Sequence, residues 1–329
     1  MLDQVLNVIS TTLSKWSPNA VDQVLNGNAL LFCYKNIGKL KNMVGNKNMG
    51  SVVVAPGGKA IDETVVVKEN TNAGWVNYNE DLASNEQQVV ATATFSWKTV
   101  YANAVAFKGE ILANQDSEYR KINLVKTLVD NAENSLINKI GAGLYNLTSA
   151  NAKAPNGLPE LITDDGTGTV GGLSTTTYPL WANQYENLAA SHTPAQLREA
   201  MGKLYRKCRN GTDIIVCHPD LYGEYEASLT AQVQVQTFKG LEDAWFDYLR
   251  FHRAVVIFDE NCPQNRMYFI NTKALVLNFM KGAEITVGEK EHPAGTQKYI
   301  WPIMAMMNWS VRSRRDLGVL VVAAAQNNG

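Results

Sequence analysis

Apolar residues recur at Ile122, Val125, Leu128, Val129, Ala132, Leu136, Ile140 and Leu144. Steps of three and four place such side chains on one stripe of an α-helix. The pattern predicts a helix from about Asp116 to Asn146, capped by Asp116, with Glu118 near the positive end of its dipole. Lys121, Lys126, Asp130, Glu133 and Lys139 fall on the other faces and are expected in solvent. Roughly 30 residues at 1.5 Å each make a rod about 45 Å long, against a mean of about 11–12 residues for globular helices. The remaining elements are organised around it, although the pattern alone also suits a plain core helix.

A shorter amphipathic pattern precedes it. Leu2, Val5, Leu6, Ile9, Leu13 and Trp16 share one helical face, and Ser17-Pro18-Asn19 ends that helix. From Gln23 to Ile61 there is no acidic residue, while Lys35, Lys39, Lys41, Lys47 and Lys59 occur. That run is either a solvated face or an arm lying on an acidic neighbour. Residues 51–107 read as β, with Val52–Val54, Thr64–Val67, Val89–Trp97 and Val100–Phe107 rich in β-branched and aromatic residues. Turn chemistry at Pro56-Gly57-Gly58 and 70–74 suggests a projecting hairpin, made acidic by Asp62, Glu63, Glu69, Glu80, Asp81 and Glu86. With no helix to cover it, such a hairpin needs a partner surface.

After the long helix, residues 151–187 are loop-rich, and a structureless stretch of that length needs a reason. Thr193-Pro194-Ala195-Gln196 is a capping box opening a helix that ends at Asn210-Gly211. Strands follow at 213–217, 254–259 and 267–271, with a helix opened by His218-Pro219-Asp220, so 191–273 reads as one compact α/β unit. The remainder returns to β at 274–279, 284–287, 299–307, 309–314 and 318–323. The expected fold class is α+β.

Composition narrows the function classes. With 30 Lys and Arg against 31 Asp and Glu, the net charge of −1 gives no global field toward nucleic acid. No run of 18 apolar residues is present, and Met1-Leu2-Asp3 does not open a secretory signal, so no membrane partner is expected. Cys33, Cys208, Cys217 and Cys262 lack paired spacing, consistent with reduced thiols.

Candidate chemistry is thin. Gly166-Thr-Gly-Thr-Val-Gly171 matches the dinucleotide-binding spacing, but no helix follows to offer its N-terminus to a phosphate. Cys217 and His218 could suggest a hydrolase nucleophile and base. Neighbours on a strand point to opposite faces, so the pair would not converge. His192, His218, His252 and His292 are scattered, without zinc-ligand spacing. No catalytic, metal-binding or cofactor-binding set is expected.

The order of parts resembles the major capsid proteins of tailed bacteriophages, the HK97-like shell fold. The residues that carry it are Phe95-Ser-Trp97, Asn156-Gly157-Leu158-Pro159-Glu160-Leu161-Ile162, Gly171-Gly172-Leu173-Ser174 leading to Trp181-Ala-Asn183, Thr193-Pro194-Ala195-Gln196-Leu197, Met267 to Lys273, and Asn308-Trp309. The resemblance implies an N-terminal arm (1–50), an E-loop hairpin (51–94), a peripheral P-domain (95–190 with 274–329) and an axial A-domain (191–273). It further implies self-assembly as pentamers and hexamers into an icosahedral head around double-stranded DNA, touched non-specifically at most. The expected location is the virion, assembled in the bacterial cytoplasm, with separate scaffolding, portal and decoration proteins as possible partners. No acidic scaffold-like extension precedes residue 1, so a scaffold would be another protein or already cleaved. Expected intersubunit contacts are Leu6, Trp16, Lys39, Lys41, Asp62, Glu63 and Glu69. An encapsulin-like nanocompartment or a gene-transfer-particle shell are alternatives, with a cysteine-dependent hydrolase behind them.

Overall fold

The computed structural model describes residues 28–35, 37, 49–50, 52–113, 118–147, 151–229 and 249–323. The expected helix over 2–16 lies outside them. Six helices are named in chain order: α1 (Ala29–Lys35), α2 (Lys108–Ala113), α3 (Glu118–Gly143), α4 (Leu158–Leu161), α5 (Pro194–Lys207) and α6 (Pro219–Ala227). The first strands are β1 (Val53–Ala55), β2 (Ala60–Val66), β3 (Val90–Ser96), β4 (Lys98–Phe107), β5 (Thr169–Val170), β6 (Leu173–Ser174) and β7 (Gln184–Leu188). Then come β8 (Ile214–Cys217), β9 (Leu249–Phe251), β10 (Ala254–Phe258), β11 (Arg266–Ile270), β12 (Leu275–Met280), β13 (Thr286–Val287), β14 (Lys298–Val311) and β15 (Gly318–Val322).

The spine helix forms as its apolar period predicts. Val125, Val129, Ala132, Leu136 and Ile140 are buried, and Ile137 joins them. Glu133, expected in solvent, is instead 2% exposed. The stripe is therefore wider than the sequence suggests, because helix period says which residues share a face but not what is laid over the next one.

The long helix packs on a five-stranded sheet in which β14 pairs with β4 over ten residues and with β12 beyond it. β14 is one strand where two segments were expected. A short parallel pairing, Val53 with Asn278, brings β1 into this sheet. β1 and β4 are thus not hairpin arms, and the hairpin is the narrower β2–β3 ribbon.

The second sheet has the order β7-β15-β11-β8-β10-β9. It extends beyond the unit read from sequence at 191–273, recruiting β7 and β15 from either side. Alternation along its strands divides two cores. Ile214, Val216, Tyr268 and Ile270 face the larger core with the spine helix, while Ile215, Cys217, Met267 and Phe269 face a smaller one under α5 and α6. α5 begins with the predicted capping box, the Thr193 side chain accepting from the Gln196 amide.

Part of the segment read as an outlying arm is core. In α1 and its flanks Leu30, Leu31, Cys33, Tyr34 and Ile37 are buried, Tyr34 Oη donates to Leu275 O at 2.8 Å, and its ring meets Trp309 edge-on at 4.9 Å. Asp259 then joins three regions. It accepts from Asn28 Nδ2, from Tyr145 Oη at the end of the spine and from the Asn261 amide, each at 3.0 Å. Gly50 passes so close to Thr272 that a Cβ there would lie 2.0 Å from its carbonyl oxygen.

Candidate assembly surfaces

A reactive centre is absent from the places where sequence made one conceivable. Cys217 is fully buried in the smaller core, its Sγ 3.5 Å from Ile257 O, and burial pushes its thiol well above the ordinary range. His218 instead caps α6, its Nδ1 accepting from the Asp220 amide. An inert thiol and a capping imidazole make no nucleophile–base pair. The glycine motif at 166–171 leads into the β5–β6 hairpin, whose turn is Gly171-Gly172 at φ 60° and 80°. Among the described residues no group of three or more His, Cys, Asp or Glu could hold a metal ion, and no helix is long and apolar enough to cross a membrane.

The long loop after the spine is ordered by one buried cation. Arg314, fully buried, donates to Leu161 O at 2.9 Å, Thr163 Oγ1 at 3.0 Å, Thr167 O at 3.2 Å and Asn183 Oδ1 at 2.7 Å. No carboxylate pairs with it among the described residues, and burial lowers its pKa to about 10, opposed by the charge of Asp165. Trp181 Nε1 donates to Val170 O, completing the tie. Asp164 is engaged by Arg266 in a two-pronged pair, and Asp165 accepts from the Thr167 amide and hydroxyl, as turn aspartates do.

This ordered loop holds the base of the hairpin. The Thr94 amide donates to Gly171 O, and a Cβ on Gly171 would come within 2.9 Å of the Ala93 Cβ. Ile61, Val65, Val67, Ala93 and Phe95 are buried in the larger core. The base is therefore covered by its own chain, contrary to the expectation from sequence. Glu63 belongs to this base: it accepts from Ser310 Oγ and Arg312 Nε, both at 2.9 Å. Within the protomer its carboxylate is engaged by these two donors. Asp62 stays on the outer face, accepting from Thr94 Oγ1.

Beyond Val67 the hairpin is bare. Trp75 and Tyr78 are completely exposed and Leu82 is 75% exposed. Glu69, Glu80, Asp81 and Glu86 surround them, all exposed. The loop holds shape locally: the Asn77 amide and side chain donate to Glu80, lowering its pKa, and Asn72 Nδ2 donates to Asn85 O at 2.7 Å. Trp75, Tyr78 and Leu82 are thus large apolar side chains that the protomer itself does not cover. Sequence placed acids here but missed Trp75 and Tyr78, although their lack of any alternating apolar partner was a usable signal.

A second surface lies at the far end of the spine. An apolar cleft of about 190 Å³ opens between β4 and α3, with Val100, Ile140 and Met307 among its walls and Lys98, Lys139 and Lys153 around it. Leu6, Trp16, Lys39 and Lys41 lie outside the described residues.

A family model described as SU10 major capsid protein matches residues 84–300. The chain belongs to that family. It is a structural shell protein, a bacteriophage major capsid protein of the virion. Solved structures agree on the α+β capsid fold. The capsid protein of cyanophage A-1(L) is 17% identical with a TM-score of 0.62, over 82% of this chain and 89% of that one. A native GTA particle capsid gives 13% and 0.57, over 85% and 90%. The holo-SrpI encapsulin complex from Synechococcus elongatus PCC 7942 gives 12% and 0.51, over 86% and 88%. Comparison with curated proteins returns no match.

Proposed function

We propose that this major capsid protein assembles as pentamers and hexamers into an icosahedral head that encloses double-stranded DNA, built in the bacterial cytoplasm. The observation that carries the reading is the bare hairpin tip: Trp75 and Tyr78 fully exposed on a ribbon whose base is anchored in its own core. In subdomain terms the ribbon is the E-loop, the larger core with α3 and the five-stranded sheet is the P-domain, and the smaller core with the six-stranded sheet is the A-domain. Leu6, Trp16, Lys39 and Lys41, outside the described residues, stay candidate contacts of the N-terminal arm (1–50).

The tip docks on a second copy, in the cleft between β4 and the spine helix. Complementarity supports this occupant: acids Glu69, Glu80, Asp81 and Glu86 would face Lys139 and Lys153, while the aromatics bury apolar surface. Exposed ion pairs contribute about 0–1 kcal/mol each, so charge sets register and rate while the aromatics supply affinity. Asp62 and Glu69 remain the acidic candidates for the arm lysines, since Glu63 is taken up by Arg312. Scaffolding, portal and decoration proteins would be further partners.

Negative-stain microscopy of the expressed protein tests the shell. Uniform closed particles are expected, and soluble monomers under all assembly conditions would overturn it. The likeness to an encapsulin and to a GTA capsid makes particle content the second readout: enzyme cargo or host DNA fragments would favour those shells over a phage head.

A further inference from the structure

A second cavity, of about 450 Å³, lies on the outer layer of the smaller core, between α5 and the turn that joins β9 to β10. Its volume falls in the range of about 300–1,000 Å³ usual for small-molecule sites. Arg198, Arg206, Arg250 and His252 border it, over a floor that includes Phe251 and Tyr225. Among the described residues the single acid lining it, Glu199, is engaged by Lys203 at 3.0 Å. Among the described residues neither Arg198 nor Arg206 forms an ion pair with a carboxylate. Tyr225 Oη donates to Arg250 O at 2.8 Å, fixing the wall of the cleft to its floor.

Two local choices beside this cleft run against backbone preference. Gly202 sits inside α5, where glycine is a poor helix former, and a Cβ there would meet Arg206 Nη1 at 3.4 Å. His252 occupies the first position of a two-residue hairpin turn at φ 51°, a place that suits glycine. Its ring is stacked on Tyr205 at 4.9 Å and set edge-on to Phe251 at 4.6 Å. A strained residue with a fixed side chain at a cationic cavity is reason to look for a ligand.

We infer that this cleft binds a phosphate-bearing anion, held by the guanidinium groups of Arg198 and Arg206 with His252 beside them. Planar guanidinium forks match paired phosphate oxygens, and the aromatic floor offers a face to whatever carries the phosphate. The phosphate could belong to a free polyphosphate or nucleotide, or to a nucleic-acid backbone. The inference does not depend on how subunits assemble.

Equilibrium dialysis of the full-length protein at low salt, with labelled pyrophosphate, ATP and a single-stranded oligonucleotide in separate arms, tests it. Saturable binding is expected, weakened about tenfold or more by Arg198→Gln with Arg206→Gln and unchanged by Lys281→Gln on the other sheet. His252→Gly should weaken binding while the thermal midpoint holds or rises, because the turn is relieved; a merely structural histidine would leave binding untouched. Binding of pyrophosphate or ATP supports a free polyphosphate ligand, and binding of the oligonucleotide alone supports backbone phosphates. No binding in any arm, or binding insensitive to the double substitution in a protein of unchanged midpoint, overturns the site.

Discussion

Asn308 and Asn156, far apart in sequence, hold each other: Asn308 Nδ2 donates to Asn156 Oδ1 at 2.8 Å, and the Asn156 amide donates to Asn308 Oδ1 at 2.9 Å. Asn308 Nδ2 also donates to Ser96 O at 2.7 Å, at the junction of hairpin and sheet. Next in the chain, Gly157 passes the end of the spine so closely that a Cβ would lie 2.0 Å from Asn146 O. The fully buried Asn308 thus fastens the spine's exit, the hairpin's base and β14 in one place. Asn308→Leu would remove the bonds to the Ser96 carbonyl, to Asn156 Oδ1 and from the Asn156 amide, half-buried groups that cost up to about 1–3 kcal/mol each where water does not replace the bond. Thermal denaturation of the unassembled protein should show a midpoint several degrees lower. An unchanged midpoint would mean that water replaces this network without loss.

Glu133 makes folding pH-dependent in the opposite sense to a paired carboxylate. Both its oxygens are buried without a partner. Burial, followed by the nearby charge of Asp130, raises its pKa from 4.5 to about 7. The folded state then holds a proton that the unfolded chain has released, so this contribution to stability is fully present below about pH 4.5 and lost as pH rises through about 7. Glu133→Gln should therefore raise the thermal midpoint at pH 8 and change little at pH 4.5. A glutamine variant less stable than wild type at pH 8 would show that the carboxylate has a cation it needs.

Arg314 carries the loop between spine and second sheet. Arg314→Met keeps much of the side-chain volume but removes the donors to Leu161 O, Trp181 O, Thr163 Oγ1, Thr167 O and Asn183 Oδ1. Each buried acceptor left without its donor costs about 1–3 kcal/mol. Limited proteolysis should cut between Thr163 and Thr176 in the variant while wild type resists. Equal resistance of the two proteins would show that Trp181 and the β5–β6 hairpin suffice to order the loop.

Much of this architecture is legible from local pattern. The spine's stripe, the capping box at Thr193 and the β-branched runs each follow from a period or a cap that a single segment carries. Asn308 broke the pattern of β14 because a buried polar residue looks like a strand end until its partners are known. β7 and β15 enter the second sheet through pairings with residues distant in sequence, which composition cannot reveal. The apolar run Ala29 to Tyr34 is a sign that α1 is core, masked in the sequence by the acid-free, lysine-bearing stretch around it. Arg314 is beyond sequence reasoning altogether: an arginine says nothing of the carbonyls it will meet. For the assembly surface, the acids of the tip were visible, whereas the engagement of Glu63 depended on Ser310 and Arg312.

The tip supplies the sharpest separation of folding from assembly. Trp75 and Tyr78 touch little in the protomer, so replacing both with Ala removes almost nothing from its core. Their truncation should leave the thermal midpoint of the unassembled protein within about 1 kcal/mol of wild type, as surface changes usually do. At an interface the same two rings would rank among the strongest anchors, where losing a central aromatic costs about 2 kcal/mol or more. In the proposed shell every subunit would repeat the contact, so the loss would be multiplied. Trp75→Ala with Tyr78→Ala should therefore abolish closed particles or raise the concentration at which they form by more than tenfold, read by light scattering and sedimentation. Lys139→Glu with Lys153→Glu, on the facing surface, should slow assembly mainly at low salt and be partly rescued by Glu69→Lys with Glu86→Lys. If the double aromatic variant assembles at the wild-type concentration and rate, the tip is a solvated loop and the subunits are held elsewhere.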